Sequence, residues 1–173
     1  YLFNMRFLII FIFLLSNSFA NEVPSIKNLV INKELKRYDG LTFLDVKKKE
    51  LNLNDYRGNL IILNFWATWC APCKDEMPSL DLLQANKNLD NLKIFPINVG
   101  QDNAKKALKF FKDLEIQNLE LYFDSPITLA KKFGLRGIPT SILFNKKGEE
   151  FARIVGSIDF KDEKFIEWLS NYN

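Results

Sequence analysis

Apolar and polar positions follow different rhythms along this chain, and each rhythm predicts an element. Leu60 to Trp66 is apolar at every position but Asn64 and does not alternate, the pattern of a strand buried on both faces of a sheet. It is expected at the sheet's centre. Met77, Leu80 and Leu83 then recur at helical spacing, predicting a helix that begins around Cys70. Pro72 falls in its first turn, where a missing N–H is harmless, whereas Pro78 lies inside and is expected to kink it. Leu92 to Val99 reads as the next strand, and Asn103 to Leu114 as a helix with Ala107, Leu108, Phe111 and Leu114 facing inward. Pro96 cannot donate to a ladder, so an internal strand must place it at a bulge or beside a gap in pairing. A short strand at Leu119 to Phe123 leads to Asp124-Ser125-Pro126, an N-cap for a helix ending at Phe133-Gly134. Thr140 to Phe144 and Glu150 to Val155 form a hairpin around Asn145 to Gly148. A last helix, about Phe160 to Leu169, is expected to bury Phe165, Ile166 and Leu169.

Upstream, Thr42 to Val46 and Glu50 to Leu53 read as a small hairpin turned at three solvated lysines, Lys47 to Lys49. Residues 21–38 are polar and mixed and are expected to form a tether, which places the folded domain at 39–173. Strands alternating with helices, opened by one hairpin and closed by another plus a helix, predict a three-layer α/β domain with a mixed sheet. The first twenty residues differ: Met5 and Arg6 precede nine apolar residues, Phe7 to Leu15, and Ser18-Phe19-Ala20 ends on small side chains. That is the pattern of a signal peptide cut after Ala20. The alternative is an uncleaved N-terminal anchor, although the run is short of the roughly 20 apolar residues a span requires. Either reading puts the domain outside the cytoplasm.

With 47% apolar residues and 16 Phe among 173, the chain can bury the core of one such domain. Removing residues 1–20 takes away one base, Arg6, and no acid, so 24 basic side chains become 23 against 21 acidic ones. This balance gives no support to nucleic-acid binding. The counts of two Cys and no His restrict the chemistry further. Ser-His-Asp and Cys-His nucleophiles, haem attachment through C-x-x-C-H, and His-containing metal sites all fall away. Redox work, a structural disulfide or half a zinc site remain for Cys70 and Cys73.

A disulfide across Cys70-Ala71-Pro72-Cys73 closes so short a loop that it stabilises little, and a zinc site lacks its second pair of ligands. Redox chemistry suits the position better. Cys70 at a helix N-terminus, where unpaired N–H groups and the dipole favour an anion, is a candidate nucleophilic thiolate. Cys73, one turn inward, is placed to resolve a mixed disulfide.

The run Asn64-Phe65-Trp66-Ala67-Thr68-Trp69-Cys70-Ala71-Pro72-Cys73-Lys74-Asp75-Glu76-Met77-Pro78 resembles the active-site segment of the TlpA/ResA/CcmG branch of thioredoxin-like proteins. Gly137-Ile138-Pro139-Thr140 is similar to the same family's cis-proline loop, and the likeness extends from about Gly40 to Trp168. The resemblance implies a thioredoxin-like fold with an added N-terminal β-hairpin, and an exported thiol–disulfide oxidoreductase whose redox group is the Cys70–Cys73 disulfide. It implies that Pro139 is cis and faces the cysteines, and that Trp69, Pro72, Ile138 and Pro139 meet an extended client polypeptide. Glu76 resembles the acidic residue this branch keeps near its cysteines, with a role in tuning thiol pKa values and relaying a proton. The alternative is a solvated surface glutamate. Thioredoxin itself keeps a buried aspartate where this chain has Asn64, which cannot ionise.

The partners implied are periplasmic protein thiols and disulfides, apocytochrome c among them, and a membrane thiol donor. An oxidase or isomerase is the competing redox reading, and a peptide-binding module, indifferent to Cys70→Ser, the competing class. The Thr-x-x-Cys pattern of a peroxidase does not match Thr68-Trp69-Cys70-Ala71.

Overall fold

The computed structural model describes residues 25–173, so the expected signal peptide at 1–20 lies outside the described residues. Twelve regular elements follow in order: β1 (Leu29–Lys36), β2 (Thr42–Asp45), β3 (Glu50–Asn52), β4 (Leu60–Trp66), α1 (Ala71–Gln84), β5 (Leu92–Asn98), α2 (Ala104–Asp113), β6 (Tyr122–Phe123), α3 (Leu129–Lys132), β7 (Thr140–Phe144), β8 (Glu150–Val155) and α4 (Glu163–Ser170), with a 3-10 turn at Leu53–Tyr56. The strands make one sheet in the order β1-β8-β7-β4-β5-β6-β2-β3. β4 runs parallel to β5 and antiparallel to β7, so the sheet is mixed.

All seven residues of β4 are buried. Side chains alternate across a strand, and the two sets enter two cores. Leu60, Ile62 and Trp66 join Met77, Leu80 and Leu83 of α1, Ala107 and Phe111 of α2, and Phe165 and Leu169 of α4. Ile61, Leu63 and Phe65 join Phe43, Phe95, Leu129 and Phe133 on the other face. Met77 and Leu80 are fully buried, and each contributes about 2 kcal/mol relative to an exposed side chain. The same alternation puts Asn64 on the face covered by α1.

The tether expected at 21–38 is corrected from residue 29 onward: Leu29 to Ile31 pair with Ile154 to Ala152 of β8, and Lys36 with Glu150. Leu29 and Ile31 pack against the first core while Val30 stays exposed, a period-two pattern too short to stand out among polar neighbours. Asn32 Nδ2 and the Tyr38 hydroxyl both donate to the buried Glu150 carboxylate, which also pairs with Arg153 at 2.7 Å. This polar knot fastens the N-terminal segment to β8.

Other expectations shift for local reasons. Leu108, expected inward, is exposed, and Phe110 takes the inward place with its ring 4.8 Å from that of Trp66. Ile166 is only half-buried, the inner face of α4 being Phe165, Trp168 and Leu169. The strand expected from Leu119 begins at Tyr122, because the amides of Gln117, Asn118 and Leu119 donate to the Asp81 carboxylate instead of a ladder. Asp124 caps α3 from several residues upstream, accepting from the amides of Thr128, Leu129 and Ala130. Pro96 lies opposite Asn64 in the β4–β5 ladder, and β6 pairs with β5 only from Ile97 onward, so the proline sits beside a gap in pairing.

Candidate functional site

β4 ends at Trp66, a turn follows, and α1 begins at Ala71 with Cys70 as its N-cap. The N-cap is the half-in residue whose side chain satisfies an orphan amide, and here the Cys70 Sγ accepts from the Cys73 N–H at 3.3 Å. Cys70 and Cys73 are joined as a disulfide. Cys73 is fully buried and Cys70 is 5% exposed, so only Cys70 keeps a surface at which a thiol can arrive. Trp69 is 67% exposed beside it, and Pro72 is exposed in the first turn of α1.

Antiparallel pairing brings the second motif to the same place. Thr140, at the start of β7, pairs with Phe65 at the end of β4, so Ile138-Pro139 lies at the end of the sheet from which the cysteine loop springs. The Ile138–Pro139 peptide bond is cis, Pro139 is buried, and its carbonyl accepts from the Gly156 amide at 2.9 Å. Ile138 packs against the core that contains Cys70 and Cys73.

Glu76 follows Cys73 by one helical turn and is 3% exposed, on the same inner stripe as Met77 and Leu80. It is not the solvated surface glutamate. Asn64 Nδ2 donates to Glu76 Oε1 at 2.8 Å, and the Ile158 amide donates to Oε2 at 3.3 Å. Asn64 Nδ2 also donates to Ser141 Oγ at 3.0 Å, while Asn64 Oδ1 has no partner among the described residues. Burial pushes the Glu76 carboxyl up to about 7, the hydrogen bonds from Asn64 and Ile158 opposing it only in part. A surface cavity of about 460 Å³ between the middle of α1 and residues 157–161 has Glu76 in its lining. Trp66 is fully buried against Phe110 and Phe111, in the same core as Cys70 and Cys73.

Residues at the end of β5 that hold the loop before Cys70 escaped the sequence reading. Asp102 Oδ2 accepts from the Thr68 amide at 2.9 Å and from Asn98 Nδ2 at 3.0 Å. Its Oδ1 accepts from Thr68 Oγ1 at 2.8 Å and pairs with Lys106 at 2.7 Å. A Cβ on Gly100 would lie 2.6 Å from Ala67 Cβ and 3.1 Å from Trp69 Nε1, so only glycine fits there. The signal available was Asn98-Val99-Gly100-Gln101-Asp102 at a strand's carboxyl end, a usual place for polar contacts in α/β sheets.

A two-cysteine disulfide capping a helix, a cis-proline loop at the same sheet end and a buried carboxylate behind them define the class: a thioredoxin-fold thiol–disulfide oxidoreductase. Residues 26–149 match the model of the AhpC/TSA family, and the chain belongs to that family. It is 32% identical over 124 residues to the thiol-disulfide oxidoreductase ResA of Geobacillus kaustophilus, covering 71% of this chain and 70% of that protein. ResA of Geobacillus thermodenitrificans is 31% identical over 120 residues, covering 69% and 68% respectively. Among solved structures, StoA of Bacillus subtilis superposes with a TM-score of 0.62 at 27% identity, covering 74% of this chain and 94% of that one. A DsbE-type thiol:disulfide interchange protein of Chlorobium tepidum shares the fold, with a TM-score of 0.63 at 24% identity over 75% and 92%.

Proposed function

We propose that the chain is an exported, periplasmic protein disulfide reductase in which Cys70 is the nucleophile, Cys73 the resolving thiol and Glu76 the proton relay. The observation that carries this reading is the buried Glu76, one turn beyond Cys73 and in the lining of a surface cavity, with a carboxyl pushed up to about 7. A carboxylate tuned near neutrality can take up a thiol proton and give it back.

In the reduced protein the Cys70 thiolate attacks one sulfur of a client disulfide. That S–S bond breaks, one client sulfur leaves as a thiolate, and a mixed disulfide forms on Cys70. Glu76 then accepts the proton of Cys73, whose thiolate attacks the Cys70 sulfur and releases the second client thiol. The client gains two electrons and the protein is left as the Cys70–Cys73 disulfide, which a membrane thiol donor reduces again. Trp69 and Pro72, exposed beside the cysteines, and Ile138 and Pro139, at the same end of the sheet, receive the client as an extended segment.

The client class is the C-x-x-C-H segment of apocytochrome c before haem attachment, which rests on the family resemblance alone. Export rests on the signal-like residues 1–20. The test is a Cys73→Ala chain expressed with its leader and searched for mixed disulfides. Trapped apocytochrome c supports the proposal; an empty trap together with an unreactive Cys70 sinks it. The reduction potential of the unmutated chain separates a reductase, with a low potential, from an oxidase.

A further inference from the structure

We propose that Asp102 is a positioning residue for the redox centre: by clamping Thr68 it fixes the loop that carries Trp69 and Cys70, and so sets the balance between disulfide and dithiol. The loop at residues 67–70 belongs to no helix or strand, and backbone bonds hold it at its ends: the Trp66 carbonyl accepts from Val99, the Ala67 carbonyl from Cys70, and the Cys70 carbonyl from Lys74. Between these points its anchors are side-chain bonds to Asp102. The two carboxylate oxygens take four donors: the amide and hydroxyl of Thr68, the Asn98 amide group and the Lys106 ammonium. The side chain is 2% exposed, and Asn98 Oδ1 in turn accepts from the Gly100 amide, so the clamp is itself held rigid. Burial alone would raise the Asp102 carboxyl, but hydrogen bonds from Lys106, Asn98 and Thr68 outweigh it and hold it down to about 2. The clamp therefore stays charged throughout the working pH range.

Closing a disulfide requires two sulfurs to be held together, and any freedom left in the dithiol state is lost on closure. Thr68 lies two residues before Cys70. Releasing it gives the dithiol more freedom than the disulfide and makes the disulfide easier to reduce.

The test equilibrates the full chain with reduced and oxidised dithiothreitol. Each turnover moves two electrons from the reagent to the Cys70–Cys73 disulfide, leaving two protein thiols and the cyclic oxidised reagent. Asp102→Ala is expected to shift the equilibrium constant about tenfold toward the dithiol, which is about 30 mV for a two-electron couple. Thr68→Ala should shift it about threefold in the same direction, and Thr68→Ser, which restores a hydroxyl donor, should return it to near the native value. A clamp that only stabilises the fold would lower the melting temperature and leave the constant of the folded protein unchanged. Constants within twofold of native in folded Asp102→Ala, or a Thr68→Ser as perturbed as Thr68→Ala, overturn the proposal. Should Asp102→Ala fail to fold by circular dichroism, the Thr68 pair decides. This inference rests on the Cys70–Cys73 pair being exchange-active: a native disulfide inert to dithiothreitol overturns both readings, whereas normal exchange with equal constants overturns this one alone.

Discussion

Replacing Glu76 by Gln removes the ionisation but keeps the shape, and the structure gives the size of the effect. The folded chain holds the Glu76 proton to about 7, against 4.5 for the free side chain. At about 1.4 kcal/mol per pH unit, that separation corresponds to about 3 kcal/mol by which ionisation opposes folding. The sign follows from proton binding: the folded state holds the proton more tightly than the unfolded chain. The penalty is therefore absent below about pH 4.5, grows through the interval to about 7, and is complete above it. The introduced glutamine can keep the local bonds, because the Asn64 amide can turn its unpartnered Oδ1 toward the new NH₂ while the Ile158 amide still donates to the remaining oxygen. Urea unfolding of the oxidised native and Glu76→Gln chains between pH 4 and 9 checks this. The two should be equally stable near pH 4, and the variant about 3 kcal/mol more stable above pH 8. A difference that stays flat with pH, or that favours the native chain as pH rises, would refute the reasoning, since a solvated glutamate gives no such divergence.

Further outcomes concern rate and scaffold. The step in which Cys73 resolves the mixed disulfide should accelerate as pH rises through about 7, as Glu76 becomes a base, and Glu76→Gln should slow it about 10²-fold at pH 8 in stopped-flow exchange. Gly100→Ala places a methyl 2.6 Å from Ala67 Cβ and should cost about 2 kcal/mol in thermal unfolding, with altered fluorescence from the adjoining Trp69. Arg153→Leu leaves the fully buried Glu150 without its cation and should cost about 3–5 kcal/mol in denaturant titration.

Much of the fold was legible because its signals are long and local. The unalternating run at 60–66, the helical spacing of Met77, Leu80 and Leu83, and the turn at Asn145 to Gly148 each name their element without tertiary knowledge. Elements set by distant partners were not legible. β1 exists because β8 supplies its ladder and Glu150 its polar anchor, and nothing within 29–36 distinguishes it from a polar linker. Leu119 to Leu121 have strand character that Asp81, far away in sequence, overrides by taking the neighbouring amides. At the site the cysteines showed through a spacing that physical chemistry interprets, whereas the cis state of Pro139 followed only from family likeness. The Asn64–Glu76 contact was half visible: Asn64 lies on the α1 face of β4 by period two, and Glu76 on the core stripe of α1 by helical period. Asp102 had only its place in a polar loop at a strand's carboxyl end as a signal, since one more acid there becomes an anchor only when the β4 and β5 ends come together.

The proposed chemistry turns on an asymmetry between two sulfurs, one reachable and one buried, and a trap with glutathione disulfide measures it directly. Attack by a lone thiolate breaks the reagent's S–S bond, leaves glutathione on the protein and releases a glutathione thiolate. Mass spectrometry of the reduced Cys73→Ala chain should show rapid accumulation of one glutathione on Cys70, and the reduced Cys70→Ala chain should react at Cys73 at least about a hundredfold more slowly. Equal rates in the two variants, or faster capture at Cys73, would contradict the assignment of Cys70 as the attacking thiol.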